Sequence, residues 1–250
     1  MSKNPYDTLY EQIDFSTRPF GYSLDYFLWR TSKIKGELAK FIDKDGEILD
    51  VGGGTGIMVR FLPKYVDLNK YHNLDISAKI MKYSPHQNVL GTAEQIPYTD
   101  NSFDFVILSE VLEHVKDKTL ALRECFRILR ADQLLLCSTP RTGWLKSFWR
   151  SPFAVFMLFD RVMNKLGKKD RFYSVEGVKD EPSDEDWLRN ELTNVGFTVL
   201  KQYRVDNHVP WRRNGESRLW RWFADKFVNP EKYGHCTIVI CKKRSQGQQT

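Results

Sequence analysis

The sequence lacks the features of a membrane-spanning, disulfide-stapled or repetitive protein. No apolar run approaches the roughly 18 residues that a membrane-spanning helix needs, and the first fifteen residues hold no apolar signal core. The four cysteines form no C-x-x-C pair, and no histidine cluster has zinc-ligand spacing. We therefore expect a cytoplasmic protein, soluble or peripheral at a membrane surface, whose cysteines are small core residues.

Short apolar runs alternate with helical patterns along most of the 250 residues. Helices are predicted over 55–62 and 119–129. A further helix follows Ser77, which can cap it, and another follows a capping box at 183–186 and ends at Gly196. Strands are predicted at 47–51, 71–75, 89–90, 103–109, 134–138, 197–203 and 236–242. This order predicts an α/β fold with a mostly parallel sheet covered on both faces.

A glycine loop stands where the first predicted strand meets a helix. Its glycines have G-x-G-x-G spacing from Gly52 to Gly56, and Asp50 lies two residues before them. Glycines let a ligand approach the backbone, and a helix N-terminus offers free N–H groups. The dinucleotide fingerprint is G-x-G-x-x-G, and an acid this close to a pyrophosphate would be unfavourable. The loop therefore suits S-adenosylmethionine, which has no phosphate, better than a nicotinamide cofactor.

A second acid, Asp75, ends the second predicted strand, 25 positions after Asp50. A carboxylate at this place can accept hydrogen bonds from both hydroxyls of a ribose. The alternative is a helix-capping aspartate before Ser77. The ribose role agrees with the glycine loop and is the one that we favour.

Three segments together resemble a known family: ILDVGGGTG at 48–56, NLDIS at 73–77 and GTAEQIPYTDNSFDFVILSEVLEHVKD at 91–117. They are similar to the class I S-adenosylmethionine-dependent methyltransferases, and most to the branch with the ubiquinone and menaquinone biosynthesis enzymes. The resemblance covers about 45–140. It implies a Rossmann-like, doubly wound sheet and methyl transfer from S-adenosylmethionine to a small-molecule or lipidic acceptor, with quinone-like and prenylated molecules among the candidates.

The resemblance also assigns residues to parts of the cofactor. Thr92 stands where the family usually has Asp, and the Ala93 N–H is the alternative contact to the adenine edge. The assignments are the methionine end for Asp50, Gly52, Gly54 and Gly56, the ribose for Asp75, the adenine ring for Ile76, the adenine edge for Thr92, Ala93 and Glu94, and the neighbourhood of the methyl group for Ser109.

Three polar residues follow the fourth predicted strand: Glu110, Glu113 and His114. At helical spacing they would share one face near the substrate. We take His114 as a candidate general base for a phenol or hydroxyl acceptor and Glu110 as its partner. Two alternatives stay open: the trio binds a divalent ion, or these residues cap a short helix. We assign no metal site.

An aromatic and basic insertion at 141–182 interrupts the alternation. Between positions 141 and 171 stand eight basic and two acidic residues, in a chain whose formal net charge is +6. Within 144–166 apolar residues recur every three to four positions with basic groups between them. This predicts a partly helical lid over the carboxyl ends of the strands, or a helix on an anionic membrane surface. Together with a Trp- and Arg-rich stretch at 211–227, the segment is also compatible with RNA.

We expect one methyltransferase domain over 1–250. Its parts are an N-terminal helical cap at 1–45, a cofactor-binding core at 46–140, the lid at 141–182 and the rest of the sheet at 183–250. The rival functions are an RNA-modifying methyltransferase, which the absence of a recognisable RNA-binding module disfavours, and a non-catalytic S-adenosylmethionine-binding protein. The sequence contains no strong indication of nucleic-acid binding and none of an oligomeric state.

Overall fold

The computed structural model describes residues 6–7, 40–62, 64–142, 181–205, 234 and 236–245. Seven strands lie in these ranges: β1 Ile48–Val51, β2 Tyr71–Asp75, β3 Gln87–Leu90, β4 Phe103–Ser109, β5 Leu129–Pro140, β6 Phe197–Val205 and β7 Cys236–Lys243. They form one sheet in the order β3-β2-β1-β4-β5-β7-β6. The first five strands are parallel, and β7 pairs antiparallel with both β5 and β6. The predicted mostly parallel α/β sheet is confirmed.

The sheet is buried on both faces, which explains the apolar strands. Successive residues of a strand point to opposite faces, so Leu49 and Val51 join one apolar cluster while Ile48 joins the other. All four residues of β1 are buried. The cysteines are free and buried in the same two clusters, as predicted: Cys125, Cys137, Cys236 and Cys241.

Two longer helices cover the first of these clusters. They are α2 Lys118–Ile128 and α3 Glu185–Val195, and a shorter helix, α1 Ala78–Met81, follows β2. The Asp184 carboxylate caps α3 by accepting the N–H groups of Asp186 and Trp187, an arrangement that typically contributes about 1 kcal/mol. Gly196 ends α3 at φ 119°. The predicted stop is confirmed, but the cap is Asp184 and not Ser183, whose hydroxyl accepts from Lys118.

Two predictions about helix starts are corrected by the structure. The segment after the glycine loop is a 3-10 helix, Ile57–Phe61, and not an α-helix over 55–62. Its N-cap, Gly56, has no side chain that could accept the first N–H groups. Ser77 occupies the N-cap of α1 but does not cap it with its side chain. The Ser77 hydroxyl donates instead to the Asp7 carboxylate.

The predicted lid over 144–166 and the Trp- and Arg-rich stretch over 211–227 lie outside the described residues, as does most of the predicted N-terminal cap. Two N-terminal residues are placed, and both contact the carboxyl edge of the sheet: Tyr6 at His114 and Asp7 at Ser77. In the part of the chain that the structure describes, no helix is long and apolar enough to cross a membrane.

Candidate functional site

The topology places a crevice at the carboxyl ends of β1 and β4. From β1 the chain continues to β2 and β3 on one side of the sheet and then returns to β4 on the other side. Loops that leave neighbouring strands in opposite directions open a cleft between them, where ligands of open α/β sheets bind. The glycine loop follows β1, and Glu110 follows β4, so both predicted groups of site residues lie at this edge.

Three alternate glycines shape the loop. Gly52, Gly54 and Gly56 have φ of 70°, 55° and 73°, a left-handed conformation that side chains disfavour. The N–H groups of Gly52 and Gly53 donate to the Leu74 carbonyl at 2.7 and 3.2 Å, which holds the loop against the end of β2. At Gly54 a Cβ would meet only Ile80 at 3.5 Å and Asp75 at 3.9 Å. A ligand can therefore approach the backbone at Gly54.

The Asp75 carboxylate joins the loop to the residues after β2. Its Oδ2 accepts the Gly54 N–H at 3.0 Å, and its Oδ1 accepts the Ser77 N–H at 2.9 Å. Burial raises the pKa of Asp75 to about 6, although these backbone N–H groups lower it. A carboxylate has about four acceptor positions, so Asp75 retains the capacity to accept a hydrogen bond from a ligand hydroxyl.

Asp50 lies beneath the loop and not on its surface. Its side chain is 1% exposed and accepts the Tyr71 hydroxyl. Burial raises the pKa of Asp50 to about 7; the Tyr71 hydrogen bond opposes this rise, and the Asp75 carboxylate adds to it. The structure therefore places Asp50 next to the glycine loop, as predicted, but on the buried underside of the loop.

The residues predicted for the adenine lie beyond β2 and β3. Ile76 is 43% exposed, and Ala93 is buried. Thr92 forms a turn with Gln95, whose N–H donates to the Thr92 carbonyl. The Glu94 carboxylate accepts the N–H groups of Lys116 and Asp117 at 3.0 and 2.8 Å, which ties this turn to the chain before α2.

A second polar group forms at the ends of β4 and β5. Ser109 and Ser138 are neighbours across the two strands, with hydroxyl oxygens 2.8 Å apart. Glu110 has a φ of 58°, donates its N–H to the Ser138 carbonyl and accepts the Ser138 hydroxyl at 3.0 Å. The Cys236 thiol also donates to the Glu110 carboxylate, at 3.4 Å. A left-handed non-glycine residue at a strand end is typical of functional sites.

The prediction that Glu110, Glu113 and His114 share a helical face is wrong. The segment is a turn, because the left-handed Glu110 cannot start an α-helix. Glu110 contacts Ser138, whereas the buried Glu113 accepts the hydroxyl of Thr139 at 3.3 Å. Adjacent strand residues point to opposite faces, so the two acids lie on opposite sides of β5. No three His, Cys, Asp or Glu side chains of the described ranges are arranged to hold a metal ion.

His114 is half-buried at the same edge. Its carbonyl accepts the Tyr6 hydroxyl at 3.4 Å, and the two rings meet edge to face with centroids 6.1 Å apart. His114 therefore lies at the carboxyl edge of the sheet, next to Tyr6 of the N-terminal segment.

Several residues of the site were missed from the sequence. Tyr71 and Asn73 occupy alternate positions of β2 with Asp75, and both reach beneath the glycine loop. Polar groups at every second position of a buried strand are a signal that could have identified them. Ser138 and Cys236 become neighbours of Glu110 only through strand pairing, which the sequence does not display.

The geometry fits S-adenosylmethionine. The open backbone at Gly54, the acceptor capacity of Asp75 and the exposed apolar Ile76 follow one another along the crevice. They are the kinds of group that the amino-acid end, the ribose and the base of this molecule would need.

Comparisons with known proteins agree with this fit. Residues 49–137 match the methyltransferase domain family model. The chain is 29% identical over 189 residues to the ubiquinone/menaquinone biosynthesis C-methyltransferase UbiE of Hahella chejuensis, covering 67% of this chain and 75% of the relative. It is 27% identical over 224 residues to UbiE of Geotalea uraniireducens, covering 82% and 91%.

Solved structures show the same fold. The S-adenosylmethionine-dependent methyltransferase from Mesorhizobium loti superposes with a TM-score of 0.55 at 15% identity, over 83% of this chain and 96% of that one. The domain match, the similar enzymes and the fold lead to one conclusion. The chain is a class I S-adenosylmethionine-dependent methyltransferase that resembles the ubiquinone and menaquinone biosynthesis branch.

Proposed function

We propose that the enzyme methylates a carbon atom of a small or lipidic, quinone-like acceptor in its reduced, hydroquinone form. The observation that carries this proposal is the extent of the similarity to a quinone C-methyltransferase, which reaches 82% of this chain. That span exceeds the 49–137 region of the methyltransferase domain. The similarity therefore includes parts of the chain outside the cofactor-binding core, where acceptor specificity is expected.

In this proposal the first half of the crevice holds the cofactor. S-adenosylmethionine supplies a methyl group activated by a sulfonium, so the protein mainly has to position donor and acceptor. Asp75 accepts the ribose hydroxyls, and Ile76 packs on the adenine. The backbone of Gly52, Gly54 and Gly56 surrounds the methionine end, with Asp50 beneath it, and Thr92, Ala93 and Glu94 form the adenine edge.

The second half of the crevice handles the acceptor. Methylation of a hydroquinone ring would form a C–C bond as the S–CH3 bond of the donor breaks, and it would release the proton of the substituted ring carbon, so the site must accept one proton per turnover. A deprotonated phenol makes its ring carbon more nucleophilic, and a phenol with a pKa of about 10 benefits from a base. Glu110 is the proposed base or acceptor-positioning group, because its carboxylate lies at the end of β4 beside Ser109. His114 is the second candidate.

The insertion is proposed to serve the same acceptor. We retain the division into a cap at 1–45, a core at 46–140, a lid at 141–182 and the rest of the sheet at 183–250. An apolar lid after β5 would exclude water and receive an apolar acceptor. The basic groups of 144–166 would meet anionic headgroups, each contributing about 1 kcal/mol at low salt. Co-sedimentation with anionic liposomes at low and high salt tests this part, and no binding at low salt would contradict it.

A methyl-transfer assay tests the main proposal. The protein is incubated with isotope-labelled S-adenosylmethionine and, separately, a prenylated naphthohydroquinone kept reduced, its O-methylated analogue, and total RNA. We expect label in the hydroquinone, located on a ring carbon by mass spectrometry. Label on oxygen would correct the acceptor atom, and label confined to RNA would replace the proposal by the RNA-modifying alternative.

A further inference from the structure

A buried amide lies directly beneath the glycine loop. The Asn73 side chain is fully buried, and its Nδ2 donates to the Gly54 carbonyl at 3.0 Å and to Asn88 Oδ1 at 2.9 Å. Both partners are acceptors, so the amide orientation is fixed and Oδ1 faces away from them. Asn73 Oδ1 has no hydrogen-bond partner within the described part of the chain.

The amide oxygen faces Gly53, the central residue of the loop. A Cβ on Gly53 would lie 2.5 Å from Asp50 Oδ2 and closer still to Asn73 Oδ1. Unlike its neighbours on both sides, Gly53 does not have a positive φ. Its backbone conformation therefore does not require glycine, whereas the space beneath it does.

Asn73 also controls the geometry of Gly54. The peptide unit before Gly54 is fixed by its N–H, which donates to Asp75, and the unit after it is fixed by its carbonyl, which accepts from Asn73. These two bonds together hold Gly54 at its φ of 55°. Asn73 and Asp75 thus act on opposite sides of the one loop residue that opens to a ligand.

The amide extends this control to the adenine side of the crevice. Asn88 of β3 accepts from Asn73 and donates to the carbonyls of Met81 and Ser84 at 3.1 and 3.2 Å, at the end of α1. The glycine loop, β2, β3 and α1 are therefore joined through two side-chain amides. Displacement of Asn73 would move the loop relative to the residues that face the ribose and base.

We infer that Asn73 is a positioning residue for the cofactor: it fills the space under Gly53 and holds the Gly54 carbonyl, so Gly53 and Asn73 are an interdependent pair. The inference rests on the proposed role of the loop in binding S-adenosylmethionine. It predicts that the pair contributes to cofactor affinity and leaves the acceptor side of the crevice unaffected.

A double-mutant cycle tests the pair. Gly53→Ala, Asn73→Ala and the double variant are compared by melting temperature and by calorimetric Kd for S-adenosylmethionine. We expect Gly53→Ala to weaken binding about tenfold, the size typical of an overpacked site. In the Asn73→Ala background the loss of affinity caused by Gly53→Ala should be about threefold smaller, because the amide that the new methyl group would crowd is absent. Equal costs in both backgrounds would overturn the inference. The control is Asn69→Ala, an exposed asparagine whose side-chain amide donates to Asp67. In this background the loss of affinity caused by Gly53→Ala should stay unchanged.

Asn73→Asp separates hydrogen bonding from shape. It keeps the shape but loses both N–H donors, so it should raise the KM for S-adenosylmethionine at least as much as Asn73→Ala does, with kcat at saturating cofactor near the wild-type value. A wild-type KM for Asn73→Asp, or a loss of kcat alone, would refute the positioning role. If the wild-type protein itself fails to bind the cofactor, the proposed function is wrong. The melting-temperature cycle then still decides whether Gly53 and Asn73 are coupled, including in variants that fold only at reduced temperature.

Discussion

The two halves of the crevice are built in different ways. At the ends of β1 and β2 the important contacts are made by backbone groups: Asp75 accepts two N–H groups, and the loop donates to the Leu74 carbonyl. At the ends of β4 and β5 side chains contact one another, as in the Glu110 pairing with Ser138 and Cys236, beside one backbone hydrogen bond from Glu110 to Ser138. Backbone-built sites depend on glycine spacing and strand ends. Side-chain sites depend on which strands become neighbours. The first kind of site can therefore be recognised in the sequence, whereas the second becomes visible only in the folded sheet.

The largest expected effect is on the backbone-built half. We expect Gly54→Val to abolish cofactor binding while the circular dichroism spectrum keeps its native form, because a β-branched side chain is strained at φ 55° and fills the approach to the loop. Gly54→Ala is the matched control. Its Cβ has room, so it should pay only the left-handed strain of about 1–2 kcal/mol and bind weakly. Normal binding by Gly54→Val would place the cofactor elsewhere.

The next effect concerns the acid of the same half. Asp75→Ala should weaken S-adenosylmethionine binding by roughly 1.5–3 kcal/mol, about 10- to 150-fold in Kd, since it removes a charged acceptor. Calorimetric titration measures this directly. Asp67→Ala removes an aspartate that serves a 3-10 turn away from the crevice, and it should bind normally. An Asp75→Ala affinity equal to that of Asp67→Ala would remove Asp75 from the site.

Two glutamates near the ends of β4 and β5 test the side-chain-built half. Glu110→Gln should lower kcat by about 100-fold, the usual size for loss of a general base, while the Kd for S-adenosylmethionine stays at the wild-type value. Glu113→Gln should change kcat little, because Glu113 is buried on the opposite face of β5 against Thr139. Stopped assays with the reduced hydroquinone acceptor measure both. If the two variants lose activity equally, the assignment of Glu110 to the acceptor side is wrong.

The smallest effect is on stability against pH. Burial raises the pKa of Asp50 to about 7 and that of Asp75 to about 6. Each group binds its proton more tightly folded than unfolded, so its contribution to stability is complete below about pH 4 and is lost as pH rises toward 7. The melting temperature of the cofactor-free protein should therefore fall less between pH 5 and 8 in Asp50→Asn than in the wild type. Burial lowers the pKa of His86, so this residue makes the protein more stable as pH rises. Its contribution is the same in both proteins and cancels when one melting curve is subtracted from the other. Parallel curves would contradict the buried, protonated Asp50.

The same contrast explains what the sequence could predict. Strands β2 and β4 have the predicted bounds: β2 ends at the acid Asp75, and β4 is a mostly apolar run that ends just before Glu110. The glycine loop and Asp75 also meet as predicted, because adjacent parallel strands end at one edge. The prediction of a helical face for Glu110, Glu113 and His114 was wrong, because one left-handed residue changes the direction of the chain and no local sequence pattern marks that residue. Asn73 was missed because its partner, Asn88, comes from strand pairing.

Hydrogen exchange with and without saturating S-adenosylmethionine, in the absence of acceptor, tests most directly that the cofactor binds to the backbone-built half alone. We expect slower exchange in peptides that cover 52–56 and 75–77, where the Gly54 and Ser77 N–H groups bond to Asp75. Peptides that cover β7 should exchange at the same rate in both states. Protection confined to the ends of β4, β5 and β7, with 52–56 and 75–77 unchanged, would contradict it.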